Sequence, residues 1–246
     1  MARNSVAVLK ILELLGEGDP LGLSDLAAHL VLPKTSVHRA LADLVEEGWV
    51  RGTNQSPARY FLSGKVLRVA GGANGMAELT GVAGPIMDRL QQATGENVQL
   101  ATLEDGFVLA LERRESRHTL RVHLPIGESL PWYATAVGRA IAGHLSPEQQ
   151  DRLFSMDISA LTPFTTVKPA ELREQISKAA TDGYVVNRSG WRVGVVSVGA
   201  AILDPRGKPI GGLSVNIVES RLAESDMDQL GVIVRDAARE ISANLA

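Results

Sequence analysis

Apolar residues recur at three- and four-residue spacing from the start of the chain. Val6, Leu9, Ile11, Leu12 and Leu15 form such a stripe between Ser5 and Leu15, and Gly16, Gly18 and Pro20 end it. A second, shorter helix is predicted with Ser24 as N-cap and Asp25 in its first turn, where a carboxylate complements the dipole; it ends before Pro33. Pro33 suits the entrance of a third helix, in which Val37, Ala40, Leu41, Leu44 and Val45 keep the helical period until Gly48 closes it. Residues 49–51 and 59–62 then read as two short strands around a turn at 52–58 rich in Gly, Asn, Ser and Pro.

Residues 64–75 return to a helical pattern through Val66, Leu67, Val69 and Ala70, weakened by Gly71, Gly72 and Gly75, and predict a linker helix with a soft end. A longer helix follows over 77–94, with Leu79, Val82, Ile86, Met87 and Leu90 on one side, Pro85 as a possible break or kink, and Gly95 as its stop. The period changes to two at 97–104 and 107–113 around an Asp105-Gly106 turn, with 119–124 as a third strand. Helices are predicted at 135–145, 147–155, 169–181 and 225–244, and strands at 184–187, 193–203 and 210–218. Adjacent antiparallel strands with helices inserted between them define an α+β fold of the GAF/PAS kind. The organisation predicted is a winged helix-turn-helix over 1–63, a linker helix over 64–76, and an antiparallel-sheet effector domain of the GAF/PAS kind over 77–246.

Composition narrows the chemistry. The 246 residues are 45% hydrophobic and 22% charged, enough apolar material for packed cores in two domains. The absence of cysteine excludes disulfides, thiolate zinc sites, iron–sulfur clusters and cysteine nucleophiles. Lys10, Glu13 and Glu17 interrupt the first apolar stripe, so it does not read as a signal peptide. The longest uncharged apolar run, 193–203, is about half the ~20 residues of a membrane-spanning helix. A cytoplasmic protein with no membrane partner is expected.

The formal net charge of −3 gives no whole-chain attraction to phosphate, but the charge is segregated. Lys34, Thr35, Ser36, His38 and Arg39 occupy the face of the third helix that the apolar stripe leaves free, and Arg51, Asn54, Gln55 and Arg59 lie on the hairpin. The acids of the region, among them Glu13, Asp25, Asp43 and Glu46, lie elsewhere. Helix, helix, turn, helix and hairpin in that order place the third helix in a DNA major groove, with the hairpin against the backbone or minor groove. An ordinary solvated helix face would carry the same residue types, but the Pro-Lys-Thr-Ser start and the wing favour DNA.

A second constellation lies near the C-terminus. Asp204-Pro205-Arg206-Gly207 is a turn signal, so 193–203 and 210–218 should pair. If Leu203 faces Ile210, Ser197 faces Asn216 and Gly199 faces Ser214, so Ser197, Ser214 and Asn216 share one face beside Gly199 and Gly212. The opposite face carries Val196, Val198, Ile202, Leu213, Val215 and Ile217. No charged residue interrupts the polar face, which suits a small polar ligand better than bulk water. A helix beginning near Ala136 and Val137 after Pro131 offers free backbone N–H groups to an anion, most simply a carboxylate. Trp132 and Tyr133 just before it fit either core packing or ligand stacking.

The residues resemble the IclR family of bacterial transcription regulators over essentially the whole chain. The resemblance is carried by Leu-Pro-Lys-Thr-Ser-Val-His-Arg-Ala-Leu at 32–41, then Leu44, Glu47 and Gly48. In the second domain it is carried by Leu130-Pro131, the Ala-Thr-Ala-Val-Gly-Arg-Ala run at 134–140, Gly194, and Gly212-Leu213-Ser214. It implies a homodimer or dimer of dimers that binds double-stranded operator DNA, responds to a small organic acid and controls catabolic genes, with no cofactor. By position it implies an effector pocket of Ala136 and Val137 backbone, Asn187, Ser197, Ser214 and Asn216 side chains, and Leu130 as a wall. Asn187 stands where the family often has Asp, Ser197 where Cys is frequent, Asn216 where a second Ser occurs, and Tyr133 where His is common. These changes remove an anionic side chain and add amide donors.

The alternative is an enzyme or cofactor-binding module with a DNA-binding head. No Gly-x-Ser-x-Gly elbow, Walker sequence or His-Glu-x-x-His helix occurs, and His118 and His123 are spaced to point to opposite faces of a strand. His29 and His144 fall within helical patterns that suit packing. No catalytic or metal-binding residue is therefore assigned.

Overall fold

The computed structural model describes residues 2–16, 18–53, 56–70, 74–123, 129–223 and 227–245, and the chain divides into two compact units at residues 74 and 75. In the first unit, α1 (Ala2–Gly16), α2 (Leu23–Leu30) and α3 (Lys34–Glu46) surround a core of Ala7, Ile11, Leu15, Leu26, Val37, Ala40, Leu41 and Leu44. The apolar stripes read from the sequence are the buried faces, and each fully buried leucine or isoleucine contributes about 1.5–3 kcal/mol. Strand β1 (Leu21–Gly22) joins β2 (Val50–Gly52) and β3 (Arg59–Leu62) in a sheet of order β1-β3-β2. A short helix, α4 (Lys65–Ala70), follows; 71–73, with Gly71 and Gly72 of the expected linker, lie outside the described residues.

Two details of this unit differ from expectation. The second helix begins at Leu23 with Gly22 as its cap residue, so Ser24 is already helical. Gly22 has no capping side chain, and Asp25 instead accepts a hydrogen bond from the Gly22 N–H at 3.1 Å. The two-residue β1 is too short to leave a period in the sequence; it is held by pairing Leu21 with Tyr60 and Gly22 with Arg59.

The second unit is built on a six-stranded antiparallel sheet. Its elements are α5 (Asn74–Thr94), β4 (Asn97–Glu104), β5 (Phe107–Arg114), β6 (Ser129–Pro131), a 3-10 turn (Trp132–Ala134), α6 (Ala136–Ala142), α7 (Pro147–Phe154), α8 (Pro169–Asp182), β7 (Val185–Arg188), β8 (Val195–Leu203), β9 (Pro209–Val218), a second 3-10 turn (Glu219–Arg221) and α9 (Met227–Asn244). The strand order is β6-β5-β4-β9-β8-β7. On one face Val98, Leu100, Val196, Val198, Ile202, Leu213, Val215 and Ile217 pack with Leu79, Ile86, Met87 and Leu90 of α5 and Leu230, Val234 and Ile241 of α9. Short α6 lies against the other face.

Helix α5 runs through Pro85 without interruption. The proline is exposed, so its ring faces solvent, and burial of Ala83, Ile86 and Met87 around it holds the helix despite one missing N–H. Asp105 and Gly106 both have positive φ (47° and 81°), the mirror-image turn that suits the right-handed twist of a two-residue hairpin. The strand expected at 119–124 is absent: 119–123 are irregular and Leu124 lies outside the described residues. Its carbonyls find side chains instead of a ladder, Leu120 O accepting from Arg221 Nη1 (2.8 Å) and Val122 O from Asn97 Nδ2 (2.7 Å). The strand added to that edge is β6, which places Leu130 opposite Val108. The expected helix at 135–145 is shorter, with Thr135 as its N-cap, and the expected strand at 193 begins at Val195, after Gly194 at φ 79°. No helix among the described residues is long and apolar enough to cross a membrane.

Val31, in the turn between α2 and α3, has left-handed backbone (φ 52°, ψ 42°) and a side chain 88% exposed. A β-branched residue there is strained and gains nothing from burial. Val31→Asn, which tolerates this conformation, should raise the stability of the first unit by about 1 kcal/mol in chemical denaturation. An unchanged midpoint would show that the turn relaxes around valine at no cost.

Candidate functional site

In the first unit, Lys34, Thr35, Ser36, His38 and Arg39 are all exposed on α3, while Val37, Ala40, Leu41 and Leu44 between them are buried. Among the described residues none of Lys34, His38, Arg39 and Arg51 takes part in an ion pair, so their donors are open to an external acceptor. On the hairpin, β2 and β3 pair Arg51 with Phe61, so Arg51, Arg59 and Phe61 share the outer face. The guanidinium of Arg59 is already engaged, Nη1 donating to Pro20 O at 2.8 Å. Asn54 and Gln55 lie outside the described residues.

In the second unit, β8 and β9 pair Ser197 with Asn216 and Gly199 with Ser214, as the turn-based register requires. The register slips by one only next to the turn, where Leu203 meets Pro209. Strand β7 sets Asn187 beside Ser197, and β4 sets Asn97 beside Asn216 and Gln99 beside Ser214. A row of four neutral polar side chains, Asn187, Ser197, Asn216 and Asn97, therefore crosses four strands, all of them buried.

Buried polar groups must find partners, and most of this row does. Ser197 Oγ donates to Asn216 Oδ1 (2.7 Å), and Asn216 Nδ2 donates to Ser214 Oγ (3.3 Å). Asn187 Nδ2 donates to Ala134 O (2.8 Å), tying β7 to the 3-10 turn. Asn97 turns away from the others, donating to Val122 O and accepting from Ser116 N (3.0 Å), so it fastens the loop after β5. Gln99 is different. Among the described residues its amide has no hydrogen-bond partner, although its side chain is buried.

Helix α6 approaches this polar face closely because Gly199 and Gly212 lack side chains. A Cβ at Gly199 would lie 2.5 Å from Val137 N, and one at Gly212 would lie 2.5 Å from Val137 Cγ2. The space the glycines leave is thus filled by the helix start and not by a ligand. Thr135 Oγ1 accepts from Gly138 N (3.0 Å), which fixes the first turn and leaves the Ala136 and Val137 N–H groups without intrahelical acceptors.

Between helix start and sheet runs a narrow cleft whose free volume in this conformation, about 20 Å³, admits little more than one water molecule. Leu130, Ala136, Val137, Asn187, Ser197, Ser214 and Asn216, the seven positions singled out in the sequence, all line it. Gln99, Val108, Ala110, Ala134, Thr135 and Trp191 complete the lining, and none of these thirteen residues carries a charge. Sequence reasoning missed Gln99 and Trp191. Gln99 is a polar position in the buried first part of β4, and Trp191 is a tryptophan beside Gly190 in a loop between strands. Trp132 and Tyr133, by contrast, do not reach the cleft. Trp132 stacks edge-on against Tyr133 and Phe154 in a separate core, and Tyr133 Oη accepts from Ser159 N (3.2 Å). Of the histidines, His118 lies 3.6 Å from Glu96, and burial lowers the pKa of His144.

A winged three-helix head followed by an α+β domain with a neutral polar cleft is the construction of a regulator that couples DNA to a small molecule. The chain belongs to the IclR family of bacterial transcriptional regulators: residues 73–243 match its C-terminal domain and residues 8–53 its helix-turn-helix domain. It is 27% identical to the transcriptional repressor IclR of Escherichia coli strain K12, over 95% of this chain and 86% of that protein. It is 29% identical to the HTH-type transcriptional repressor AllR of the same strain, over 98% of this chain and 88% of that one. An IclR homologue from Microbacterium hydrocarbonoxydans, solved in complex with 4-hydroxybenzoate, matches with a TM-score of 0.85 at 25% identity over 98% of each chain. The IclR of Thermotoga maritima has the same fold, with a TM-score of 0.79 at 21% identity over 100% of this chain and 99% of that one.

The close seat of α6 makes Gly199 a sensitive position. Gly199→Ala should destabilise the second unit by about 2–3 kcal/mol, because the helix backbone must lift to admit a methyl group. Denaturation followed by near-ultraviolet circular dichroism measures it. A midpoint equal to that of the unaltered chain would mean that α6 is not held where Val137 N meets the sheet.

Proposed function

We propose that this regulator binds a palindromic operator as a homodimer or dimer of dimers, and that a small organic carboxylate, aliphatic or aromatic, controls that binding. The observation that carries the ligand assignment is the cleft itself. Seven positions chosen from the sequence converge on it, and its open groups include donors: the backbone amides of Ala136 and Val137, the Ser214 hydroxyl and the NH2 of Gln99. With no acid in the lining, a carboxylate meets no repulsion there, and Trp191, Leu130 and Val108 offer apolar contact to the rest of the molecule. The 4-hydroxybenzoate bound by the Microbacterium relative supports an acid of this kind.

On the DNA side, α3 enters the major groove. Lys34 and Arg39 contact phosphates or guanine edges, with Thr35, Ser36 and His38 beside them, and Arg51 and Arg59 lie on the wing. The engagement of Arg59 with Pro20 O favours Arg51 as the freer wing cation. A two-fold protein reads a two-fold site, so half-sites should be spaced by whole helical turns. Effector control follows if the acid binds the DNA-competent and incompetent arrangements with different affinity, a coupling of about 1–3 kcal/mol.

Arg39→Ala should weaken operator binding about tenfold or more in a mobility-shift titration. Unchanged affinity with an unchanged salt slope would remove α3 from the groove. For the ligand, a thermal-shift screen of aliphatic and aromatic acids should identify compounds that raise the unfolding temperature. Ser214→Ala combined with Asn216→Ala should abolish the response to that acid while leaving operator affinity in its absence nearly unchanged. A normal response in the double variant would place the ligand elsewhere, and turnover of the acid would favour the enzyme reading.

A further inference from the structure

Two charged side chains are buried among the described residues, Glu96 and Arg139, and they are treated very differently. Glu96 receives both Nε and Nη2 of Arg221 at 2.6 Å, a bidentate pair. Arg139, only 2% exposed, has no carboxylate partner among the described residues. Its Nε donates to Tyr133 O (2.7 Å) and its Nη1 to Gln175 Oε1 (2.8 Å), while Nη2 is buried with no partner among the described residues. Burial lowers its pKa to about 10, and no neighbouring acid counters that effect, so it keeps its proton at neutral pH. An unpaired buried cation is costly, and in some proteins buried charge is retained for a role other than stability.

The position of this cation suggests the purpose. Arg139 stands one helical turn beyond Ala136, and the carbonyl it grips belongs to the residue before Ala134. Ala134, Thr135, Ala136 and Val137 are cleft lining. Asn187 holds the next carbonyl, Ala134 O, from the cleft side, so two consecutive carbonyls are fixed by different side chains. The wall that presents the free N–H groups is thus backed by a positive charge that no acidic side chain among the described residues pairs, and none of the lining residues supplies a negative one.

We infer that Arg139 is a positioning residue whose uncompensated charge makes the cleft select a carboxylate over the neutral amide of the same compound. This rests on the acid-effector reading above, and supplies the basis of charge selection that the uncharged lining lacks. The guanidinium acts through the 133–137 wall and touches no ligand. The anion that enters the cleft provides the missing countercharge across one turn of helix, in surroundings where charges are weakly screened.

The test uses the full-length chain with Arg139→Met, Arg139→Gln and Arg139→Lys, titrated calorimetrically with benzoate, 4-hydroxybenzoate and pyruvate and with the primary amide of each. The unaltered chain should prefer an acid to its amide. Arg139→Met should cut that preference about tenfold by weakening acid binding, with amide affinity kept within about twofold; Arg139→Lys, which retains the charge, should restore most of it. If Arg139→Met does not fold, Arg139→Gln gives the same comparison with a neutral donor still available to Tyr133 O. Equal losses for acid and amide would make Arg139 a structural brace only and overturn the inference, as would undiminished acid preference in the neutral variants. An unaltered chain that binds amides as well as acids, or none of these acids, overturns the acid-effector reading, and the role of Arg139 falls with it.

Discussion

The second unit depends on one close contact, the seating of α6 on the sheet where Gly199 and Gly212 leave no side chain. Val137 occupies that space with backbone and side chain together. Without this approach the start of α6 would stand further from Ser197, Ser214 and Asn216, and the cleft between them would be an open groove. Gly138 makes a matching contribution inside the helix, where a Cβ would lie 2.5 Å from Trp132 O. The 3-10 turn can therefore fold tightly under the first turn of α6. Small residues at these points are what make a seven-residue helix a wall.

The polar row on the sheet succeeds for a related reason. Neutral amides and hydroxyls can be buried at modest cost when they bond to one another, whereas ions demand full pairing. Ser197, Asn216 and Ser214 hand a hydrogen bond from one to the next, and Asn187 and Asn97 spend theirs on the turn before α6 and the loop after β5. The same row thus serves the cleft and the fold. Among the described residues charge enters the interior only at Glu96, where Arg221 pairs with it, and at Arg139, whose partners Tyr133 O and Gln175 Oε1 are neutral.

Much of this was legible in the sequence because periodicity and register are local. The stripe of Val37, Ala40, Leu41 and Leu44 identified both the core of α3 and, by subtraction, its exposed face. A single turn signal at 204–207 was enough to place Ser197 opposite Asn216, since pairing propagates along a strand even when its last residue slips. What escaped depended on distant partners. The irregular path of 119–123 is fixed by Asn97 and Arg221, which no local pattern connects to it. Gln99 and Trp191 reach the cleft because β4 lies next to β9 and because the 188–194 turn folds over it; sheet order is not written in strand period. Trp132 and Tyr133 are adjacent to the cleft in sequence but belong to another core. The sequence places Gly199 and Gly212 beside the polar face, and only the position of α6 reveals that the helix start fills the space next to them.

The neutrality of the cleft lining has a consequence for sensing in a cell whose internal acidity changes. None of the thirteen residues that line it gains or loses a proton across the physiological range, and Arg139 behind them stays charged throughout. The receptor half of the interaction is therefore constant. Any acidity dependence of occupancy comes from the visiting molecule, in proportion to the fraction of it that is ionised. For carboxylic acids with ordinary dissociation constants that fraction is nearly complete at neutral pH. If the ligand is the acid proposed above, a chain built this way would report its concentration, unconfounded by the acidity that its accumulation would bring.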